Sequence, residues 1–381
     1  MTGPGVVVVG GSLAAVTTIG ALRQEGYAGR ITLLGEEPHQ PYVRPPLSKS
    51  VLKGAEPPEA VTLPGFPDDV VVRTHARATG LDLGNRHVVL ADGERVPFED
   101  LVIATGARAR RLAAPGTPGE VVLRTLDDAL ALRASLERRP RVLIVGAGFL
   151  GMEIASACRG FGLDVTVVDR EPPLMRSLGP FLTELLTTAA LDHGVRLVIS
   201  PGGVELLGED RVTGARLADG GELTADLVVT AAGCRPNVEW LAGSGITTDG
   251  GVHVDERCRV GPGIVAAGDV VAFGSSAGPR RTPQWASAID QARTAAAALV
   301  RGDAAPAHQP APYFWTEAFG LNVKVCGPTP IAGDPVVLEG SLAERSALLQ
   351  WHHAGEPVVS ASVNHKVSVV KLRKLSRPAG R

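Results

Sequence analysis

A glycine-rich turn over residues 146–151 has the residue types and spacing that bind a dinucleotide through the backbone. The turn reads GAGFLG, a complete G-x-G-x-x-G between a run of β-branched residues and a helix-forming segment. Gly146 permits a tight turn, Gly148 lets a pyrophosphate reach the backbone, and Gly151 allows the helix to pack on the strand. The following helix presents free N–H groups and the positive end of its dipole to phosphate. The pattern therefore predicts a dinucleotide site, against the alternative of a purely structural turn.

Asp169 stands where a dinucleotide site needs an acid. It ends the next predicted strand, roughly 20 residues after the glycine turn, where a carboxylate binds the ribose 2′-hydroxyl. Since a carboxylate repels a 2′-phosphate, Asp169 favours NADH, and NADPH is the less favoured cofactor. Arg170 beside it would attract a phosphate and weaken that preference, although a solvated surface arginine explains it as well.

A second turn, over residues 10–15, is a degenerate version of the first. It reads GGSLAA, so Gly10 alone keeps the fingerprint, Ser12 occupies the close-approach position and Ala15 the packing position. By itself this turn is evenly balanced between a nucleotide site and a plain turn. Glu36 and Glu37 follow the next predicted strand at the ribose-acid distance, which favours a second dinucleotide. Two such sites in one chain suggest a flavin dinucleotide that stays bound and a nicotinamide dinucleotide that exchanges.

Two βαβ units must position these turns. Residues 5–35 and 141–168 each read strand, turn, helix and strand, and they form a duplicated module rather than a repeat array. An alanine-rich helix over 286–301, a linker over 302–312 and then an antiparallel meander are predicted. This order predicts two α/β modules followed by a small α+β cap. Other predicted elements are strands at 70–73, 87–90, 101–104, 195–199, 227–230 and 264–267, a helix at 183–193 and a hairpin-like region at 204–224.

Composition excludes several classes of protein. The chain has 381 residues, 44% of them hydrophobic and 20% charged, which suits two or three globular domains and excludes extended disorder. A net charge of −2 gives no sign of nucleic-acid binding. There is no apolar stretch of about 18 residues and no basic segment before the apolar N-terminus, so neither a membrane helix nor a signal peptide is predicted, and a cytoplasmic location is expected. The cysteines form no close pair, so no metal site or redox dithiol is predicted: Cys158, Cys234, Cys258 and Cys326.

Four longer segments carry a more specific signal than the glycine turns. They read EEPHQPYVRPPLSKSVL at 36–52, LVIATGARAR at 101–110, VAAGDVVAF at 265–273 and PYFWTEAFG at 312–320. In this order and spacing the chain resembles the FAD-dependent ferredoxin reductases, the group of putidaredoxin reductase, rubredoxin reductase and the reductase components of aromatic-ring dioxygenases. This group lies within the pyridine nucleotide–disulfide oxidoreductase superfamily. The resemblance covers essentially the whole chain.

The resemblance implies a fold, a domain order and an activity. It implies two Rossmann-like nucleotide-binding domains: a discontinuous FAD domain at 1–110 and 236–310, and an NAD(P) domain inserted at 111–235. A small C-terminal α+β domain follows at 311–381. The implied activity passes electrons from NADH through FAD to a ferredoxin-type iron–sulfur protein, which serves an oxygenase such as a cytochrome P450 or a ring hydroxylase. The enzyme would be a monomer or a homodimer.

The resemblance also implies site residues. The FAD contacts would be Gly10, Ser12, Leu13, Ala14, Ala15, Glu36, Glu37, Arg44, Lys49, Ala78, Ala104, Thr105, Gly106, Arg124, Gly268, Asp269 and Trp285. The NAD contacts would be Gly146, Gly148, Phe149, Leu150, Gly151, Asp169, Arg170 and Gly233. Three positions depart from the family's pattern: Ser12 replaces a glycine, Val43 stands where the family often has Asp, and Pro283 stands where an acid is common.

Lys49 and Glu153 are the predicted catalytic residues. A cation near the flavin stabilises the electron-rich reduced ring, and Lys49 can supply it. A lysine in an apolar cleft must be paired to stay charged, and Glu153 is the candidate partner. The alternatives are an ordinary surface lysine, and a solvated first-turn acid favoured by the helix dipole. Trp285 is expected to stack near the flavin, with a core position as its alternative.

The absence of cysteine near the predicted flavin separates this chain from other members of the superfamily. Disulfide reductases, coenzyme A-disulfide reductases and NADH peroxidases need a cysteine over the flavin, whereas residues 42–52 contain none. Electrons must therefore leave to an external acceptor, and the basic stretch with Lys366, Lys371, Arg373 and Lys374 is a candidate for steering an acidic ferredoxin. The alternatives are an NADH oxidase, a nitrite reductase component, or a non-enzymatic FAD- and NAD-binding protein like apoptosis-inducing factor.

Overall fold

The computed structural model describes residues 3–276 and 278–377, which form two compact units. Unit 1 contains the described residues up to Val43, together with Val61–Arg108 and Arg235–Ala311. Unit 2 contains Arg44–Ala60, Ala109–Cys234 and the described residues from Pro312 onward. Unit 2 therefore interrupts unit 1 twice along the chain. The predicted three-domain division is finer than these two units and stays a prediction.

A six-stranded, mainly parallel sheet forms the centre of unit 1. Its strand order is β19-β20-β7-β1-β2-β3, and all of its neighbours are parallel except β19 and β20. The four valines of β1 are almost fully buried, as expected for a strand covered on both faces. The strands are β1 (Val6–Val9), β2 (Ile31–Leu34), β3 (Val70–Arg73), β7 (Asp100–Ile103), β19 (Arg259–Gly261) and β20 (Ile264–Ala266).

Two helices and two smaller sheets complete unit 1. The helices α1 (Leu13–Gln24) and α7 (Trp285–Arg301) share a hydrophobic core with the main sheet. An antiparallel sheet contains β4 (Ala78–Asp82), β5 (His87–Leu90) and β6 (Arg95–Pro97). A parallel pair contains β18 (Val252–Val254) and β21 (Val271–Phe273). A separate two-stranded sheet, at the boundaries of the units along the chain, contains β8 (Ala107–Ala109) and β17 (Cys234–Pro236).

Unit 2 repeats the same architecture around a five-stranded parallel sheet. Its order is β12-β11-β10-β16-β9, with β10 (Val142–Val145) flanked by β11 (Val165–Asp169) and β16 (Leu227–Thr230). The outer strands are β9 (Glu120–Val121) and β12 (Arg196–Ile199). The other elements before residue 230 are α2 (Ser50–Lys53), α3 (Leu126–Leu136), α4 (Phe149–Gly160), α5 (Met175–Leu178), α6 (Pro180–Asp192), β13 (Val204–Leu207), β14 (Gly214–Leu217) and β15 (Glu222–Thr224).

The C-terminal part of unit 2 is an antiparallel sheet with one helix. The strand order is β22-β23-β26-β25-β24. The elements are β22 (Tyr313–Ala318), β23 (Leu321–Cys326), β24 (Val336–Ser341), β25 (Ser346–His353), β26 (Glu356–Val363) and α8 (Val369–Leu375). No helix within the described ranges has the length and apolar character needed to cross a bilayer.

Most predicted elements are confirmed, with small shifts at their ends. The alanine-rich helix starts at Trp285 rather than at 286, and the helix predicted from 183 starts earlier, at Pro180, because a proline suits the first turn of a helix. The hairpin-like region is a three-stranded antiparallel sheet, β13-β14-β15. The elements that sequence patterns missed include β22, α3 and α8. β22 lies within the PYFWTEAFG motif, and α8 lies within the basic stretch near the C-terminus.

Candidate functional site

The glycine turn of unit 2 has two glycines that packing requires and one that packing does not. Gly146 has a φ of +114°, and a Cβ there would overlap the Ala231 carbonyl group. A Cβ on Gly151 would overlap the Gly146 carbonyl oxygen, so only glycine lets α4 approach β10 this closely. A Cβ on Gly148 would meet no atom within 4 Å. The space beside Gly148 is therefore open, as the approach of a pyrophosphate to the backbone requires.

The amino end of α4 leaves its backbone donors without an internal partner. Gly148 is the N-cap residue of the helix, no side chain caps it, and the first turn has no acidic residue. The first N–H groups of a helix have no carbonyl within the helix to bond, and the dipole makes this end positive. Phe149 and Leu150 form the first turn and are half-buried. The turn thus fits an anionic group such as a dinucleotide pyrophosphate.

Asp169 lies at the carboxyl end of β11, beside the same turn. Its Oδ2 accepts a hydrogen bond from the Ala147 N–H at 2.7 Å, and its Oδ1 accepts one from the Arg170 N–H at 2.6 Å. Arg176 Nη2 lies 3.7 Å from Oδ1, and the Arg170 residue is exposed. The carboxylate is therefore anchored where the sequence predicted a ribose contact. Arg176 was not predicted as a site residue, because it lies far along the chain from the glycine turn and belongs to no recognisable motif.

The turn of unit 1 leaves a helix end free in a similar way. Gly10 has a φ of +124°, and a Cβ there would overlap the Ala104 carbonyl group. Ser12 is the N-cap residue of α1, but its side chain does not cap the helix; its Oγ lies 3.5 Å from the Tyr42 carbonyl oxygen. Ala15 is fully buried in the packing position. The N–H groups at the start of α1 therefore stay available to an anion despite the serine.

Several other predicted FAD contacts of unit 1 follow strands that end at one edge of the sheet. Because β1, β2, β7 and β20 are parallel and in register, their carboxyl ends meet, which is where open α/β sheets bind ligands. Gly268 sits there with a φ of +89°, and its N–H donates to the buried Gln291 Oε1 at 2.8 Å. The predicted residues that follow these strands are Glu36, Glu37, Ala104, Thr105, Gly106 and Asp269.

Hydrogen bonds hold several of these residues in place at the edge of the sheet. Thr105 Oγ1 donates to the Asn237 carbonyl at 2.7 Å, and Glu37 Oε2 accepts from the Tyr42 hydroxyl at 2.5 Å. The Asp269 carbonyl accepts from Arg281 Nη1 at 3.0 Å. Trp285, at the start of α7, is 38% exposed. The alternative of Trp285 as a core residue is therefore wrong, and its ring is accessible to a ligand.

Three predicted FAD contacts, Arg44, Lys49 and Arg124, lie in unit 2, as do the predicted residues Glu153 and Gly233. Arg44 Nη1 donates to the Arg124 carbonyl at 2.5 Å, and Lys49 Nζ lies 2.8 Å from Glu153 Oε2. Glu153 is only 6% exposed, so the alternative of a solvated acid is wrong and the predicted pairing with Lys49 is confirmed. Gly233 has a φ of +97°, a Cβ there would meet no atom within 4 Å, and its carbonyl accepts from the Arg110 N–H.

Two hydroxyl groups that bond Glu153 were not predicted as site residues. Ser48 Oγ donates to Oε2 at 2.5 Å and Thr316 Oγ1 donates to Oε1 at 2.8 Å. Ser48 lies in the PPLSK segment directly before Lys49, and this position is a sequence signal for a site residue. Thr316 lies 163 residues from Glu153, in a segment read as a motif of aromatic residues, and no local pattern connects the two.

The cysteines have the character of core residues. Burial raises the pKa of Cys158 and of Cys258 to about 12, and that of Cys326 to about 11, while Cys234 is half-buried. Within the described residues, none of the four forms a disulfide. Since the thiolate is the reactive form, the three buried thiols are inert near neutral pH. Within residues 3–276 and 278–377, no group of three or more His, Cys, Asp or Glu could hold a metal ion.

Comparisons with known proteins agree with this geometry. Residues 4–295 match the family model described as pyridine nucleotide-disulphide oxidoreductase. The ferredoxin–NAD(+) reductase subunit of the benzene 1,2-dioxygenase system of Pseudomonas putida is 36% identical over 355 residues, which covers 90% of this chain and 85% of that protein.

Two solved structures are similar over nearly their full lengths. The ferredoxin reductase for the CYP199A2 system of Rhodopseudomonas palustris has a TM-score of 0.86 and 35% identity, covering 95% of this chain and 91% of that one. The covalent putidaredoxin reductase–putidaredoxin complex has a TM-score of 0.85 and 28% identity, covering 98% of this chain and 92% of that one.

Two glycines of α4 provide a matched test of the turn. Gly151→Ala places a Cβ against the Gly146 carbonyl, and we expect it to lower the free energy of unfolding by about 1–3 kcal/mol and to weaken NADH binding. Gly160→Ala, at the other end of α4, meets no atom within 4 Å and should be neutral or stabilising by up to about 1 kcal/mol. Denaturant unfolding and NADH titration measure both. Equal stability of the two variants would contradict the packing role of Gly151.

The burial of the thiols predicts an order of chemical modification. At about pH 8, a thiol with a pKa of about 12 is ionised in roughly one molecule in ten thousand, so Cys158 and Cys258 should react very slowly in the native protein. The half-buried Cys234 should react first. Peptide mapping after timed alkylation gives the order, and denatured protein, in which all four thiols react, is the control. Rapid native labelling of Cys158 would contradict the assignment.

Proposed function

The chain belongs to the pyridine nucleotide-disulphide oxidoreductase family, and within it to the ferredoxin reductases, and we propose that it passes electrons from NADH through bound FAD to a ferredoxin-type iron–sulfur protein. One observation carries the proposal: each unit has a glycine turn that leaves the amino end of a helix open to a dinucleotide. The acceptor would in turn serve an oxygenase, such as a cytochrome P450 or a ring hydroxylase. The cytoplasmic location stays a prediction from the sequence.

The bound flavin would supply the chemistry, accepting a hydride from NADH and releasing its electrons one at a time. In unit 1, the turn at residues 10–15 and the strand ends at 36–37, 104–106 and 268–269 would hold FAD. In unit 2, the turn at 146–151 would bind the pyrophosphate of NADH, and Asp169 would bind its ribose. Lys49, paired with Glu153, would supply the positive charge that favours the reduced flavin.

The cysteine chemistry supports an external acceptor. Relatives that reduce disulfides pass electrons through thiols near the flavin, but residues 42–52 contain no cysteine and three of the four cysteines are buried and protonated. Of the residues predicted to steer a ferredoxin, Lys371 already pairs with Glu339 at 2.7 Å, which reduces the positive charge it presents. Steering would therefore depend more on Lys366, Arg373 and Lys374.

The absorbance spectrum of the purified protein and rapid mixing with NADH test the proposed function. We expect a yellow protein whose flavin is bleached rapidly by NADH, with fast turnover when a ferredoxin is added and slow turnover with oxygen alone. Fast oxygen turnover without ferredoxin reduction would indicate an NADH oxidase. A colourless protein that cannot be reconstituted with FAD would overturn the proposal.

Asp169→Asn tests the preference for NADH. The amide oxygen can still accept from the Ala147 N–H, while the charge that repels a 2′-phosphate is removed and Arg176 stays nearby. We expect the ratio of kcat/KM for NADPH to that for NADH to rise about tenfold, the equivalent of about 1.4 kcal/mol. Asp164→Asn, just before the opposite end of β11, is the matched control and should leave the ratio unchanged. An unchanged ratio in Asp169→Asn would refute the assignment.

A further inference from the structure

The buried carboxylate of Glu153 collects three hydrogen-bond donors from separate segments of unit 2. Its Oε2 accepts from Ser48 Oγ at 2.5 Å and from Lys49 Nζ at 2.8 Å. Its Oε1 accepts from Thr316 Oγ1 at 2.8 Å. Ser48 ends a short 3₁₀-helix, Glu153 lies in α4 and Thr316 in β22. The carboxylate is therefore a meeting point of chain segments that are far apart in sequence.

A buried ion pair is stable only when its remaining hydrogen-bonding positions are filled. The side chains of Lys49 and Glu153 are 15% and 7% exposed, so water contributes little to either charge. The two donors on Oε2 share one oxygen. Within the described part of the chain, Thr316 is the donor that reaches Oε1. Its hydroxyl therefore fixes which carboxylate oxygen faces the ammonium group.

The position of Thr316 is itself set by a row of contacts between β22 and α4. Near Thr316, the rings of Phe314 and Phe149 lie 5.1 Å apart between centroids. Beyond it, the Phe319 N–H donates to Ser156 Oγ at 2.8 Å. Thr316 is fully buried. The partners on α4, at positions 149, 153 and 156, have the spacing of one helix face, so the strand is held along that face.

We propose that Thr316, together with Ser48, is a positioning residue for the Lys49–Glu153 pair. The two hydroxyl groups orient the carboxylate, so that the Lys49 ammonium would stay in place while a hydride, with its two electrons, passes from NADH to the flavin and leaves NAD⁺. The inference rests on the proposed function, because it assigns these residues to the NADH half of that reaction. It adds a role for the C-terminal sheet through its strand β22.

Thr316→Val is the decisive variant, since valine has a similar shape and no hydroxyl. The loss of a buried hydrogen bond to a charged group should lower the limiting rate of flavin reduction by NADH about tenfold. The Kd for NADH should change less than about twofold, because the hydroxyl acts on Glu153 and not on the nucleotide. Thr316→Ser keeps the donor and should restore most of the rate. Rapid-mixing spectroscopy of the flavin-loaded protein measures both quantities.

Thr183→Val is the matched control. Thr183 is 4% exposed in α6 and, within the described residues, its hydroxyl has no hydrogen-bond partner. This variant should reduce its flavin at the wild-type rate. Each variant is first checked for flavin content and thermal unfolding, so that the rates compare folded proteins.

A Glu153→Gln background tests whether Thr316 acts through the carboxylate. If it does, adding Thr316→Val to Glu153→Gln should slow the reaction little further, because the charge that it orients is already gone. Should Thr316→Val fail to fold, Ser48→Ala tests the same carboxylate from its other oxygen. A smaller fall is expected there, since Lys49 still bonds Oε2.

The outcomes separate this inference from the proposed function. The inference would be overturned if Thr316→Val reduced its flavin at the wild-type rate, or if Thr316→Ser were as slow as Thr316→Val. It would also be overturned if only the Kd for NADH changed, or if the effects of Thr316→Val and Glu153→Gln on the rate were fully additive. An unchanged rate in Ser48→Ala would overturn it if Thr316→Val cannot be studied. In all of these cases the wild-type protein is still reduced by NADH. A wild-type protein that NADH does not reduce would instead overturn the proposed function.

Discussion

The tight glycine turn between a strand and the helix that follows it is the constraint on which both units depend. In unit 2, a Cβ on Gly151 would overlap the Gly146 carbonyl, so the contact between α4 and β10 exists only because that atom is missing. The approach leaves the first N–H groups of α4 unpaired beside the open space at Gly148. In unit 1, Gly10 corresponds to Gly146, since a Cβ there would overlap the Ala104 carbonyl, and Ala15 occupies the packing position. The same packing that builds each core therefore also builds its anion site.

The second organising feature is a buried charge pair, and it has requirements of its own. Lys49 and Glu153 lie almost wholly out of water, which is unfavourable for both charges unless donors and acceptors surround them. The hydroxyls of Ser48 and Thr316 fill the remaining positions on the carboxylate. This need connects α4, which begins at the glycine turn, with the C-terminal sheet through β22. The sheet thus takes part in arranging the charged group and is more than a cover for it.

Burial also makes three of the four cysteine thiols unreactive. Each of Cys158, Cys258 and Cys326 is fully buried, and the cost of an unsolvated thiolate raises its pKa. A superfamily that commonly uses thiols to move electrons is represented here by a chain whose buried thiols are inert. This chemistry agrees with the external acceptor of the proposed function.

Local patterns in the sequence determined the two βαβ units, both glycine turns, the acid at Asp169 and the absence of a cysteine at residues 42–52, because strand and helix periodicity and turn chemistry are properties of neighbouring residues. The pairing of Lys49 with Glu153 was predictable from the need of a buried lysine for a partner. Only the tertiary structure decided that Glu153 is buried, that Ser12 leaves the amino end of α1 uncapped, and that Thr316 reaches Glu153 Oε1. The burial and bonding of Glu153 depend on segments more than a hundred residues apart packing together, and side-chain packing across such distances leaves no periodic trace in the chain.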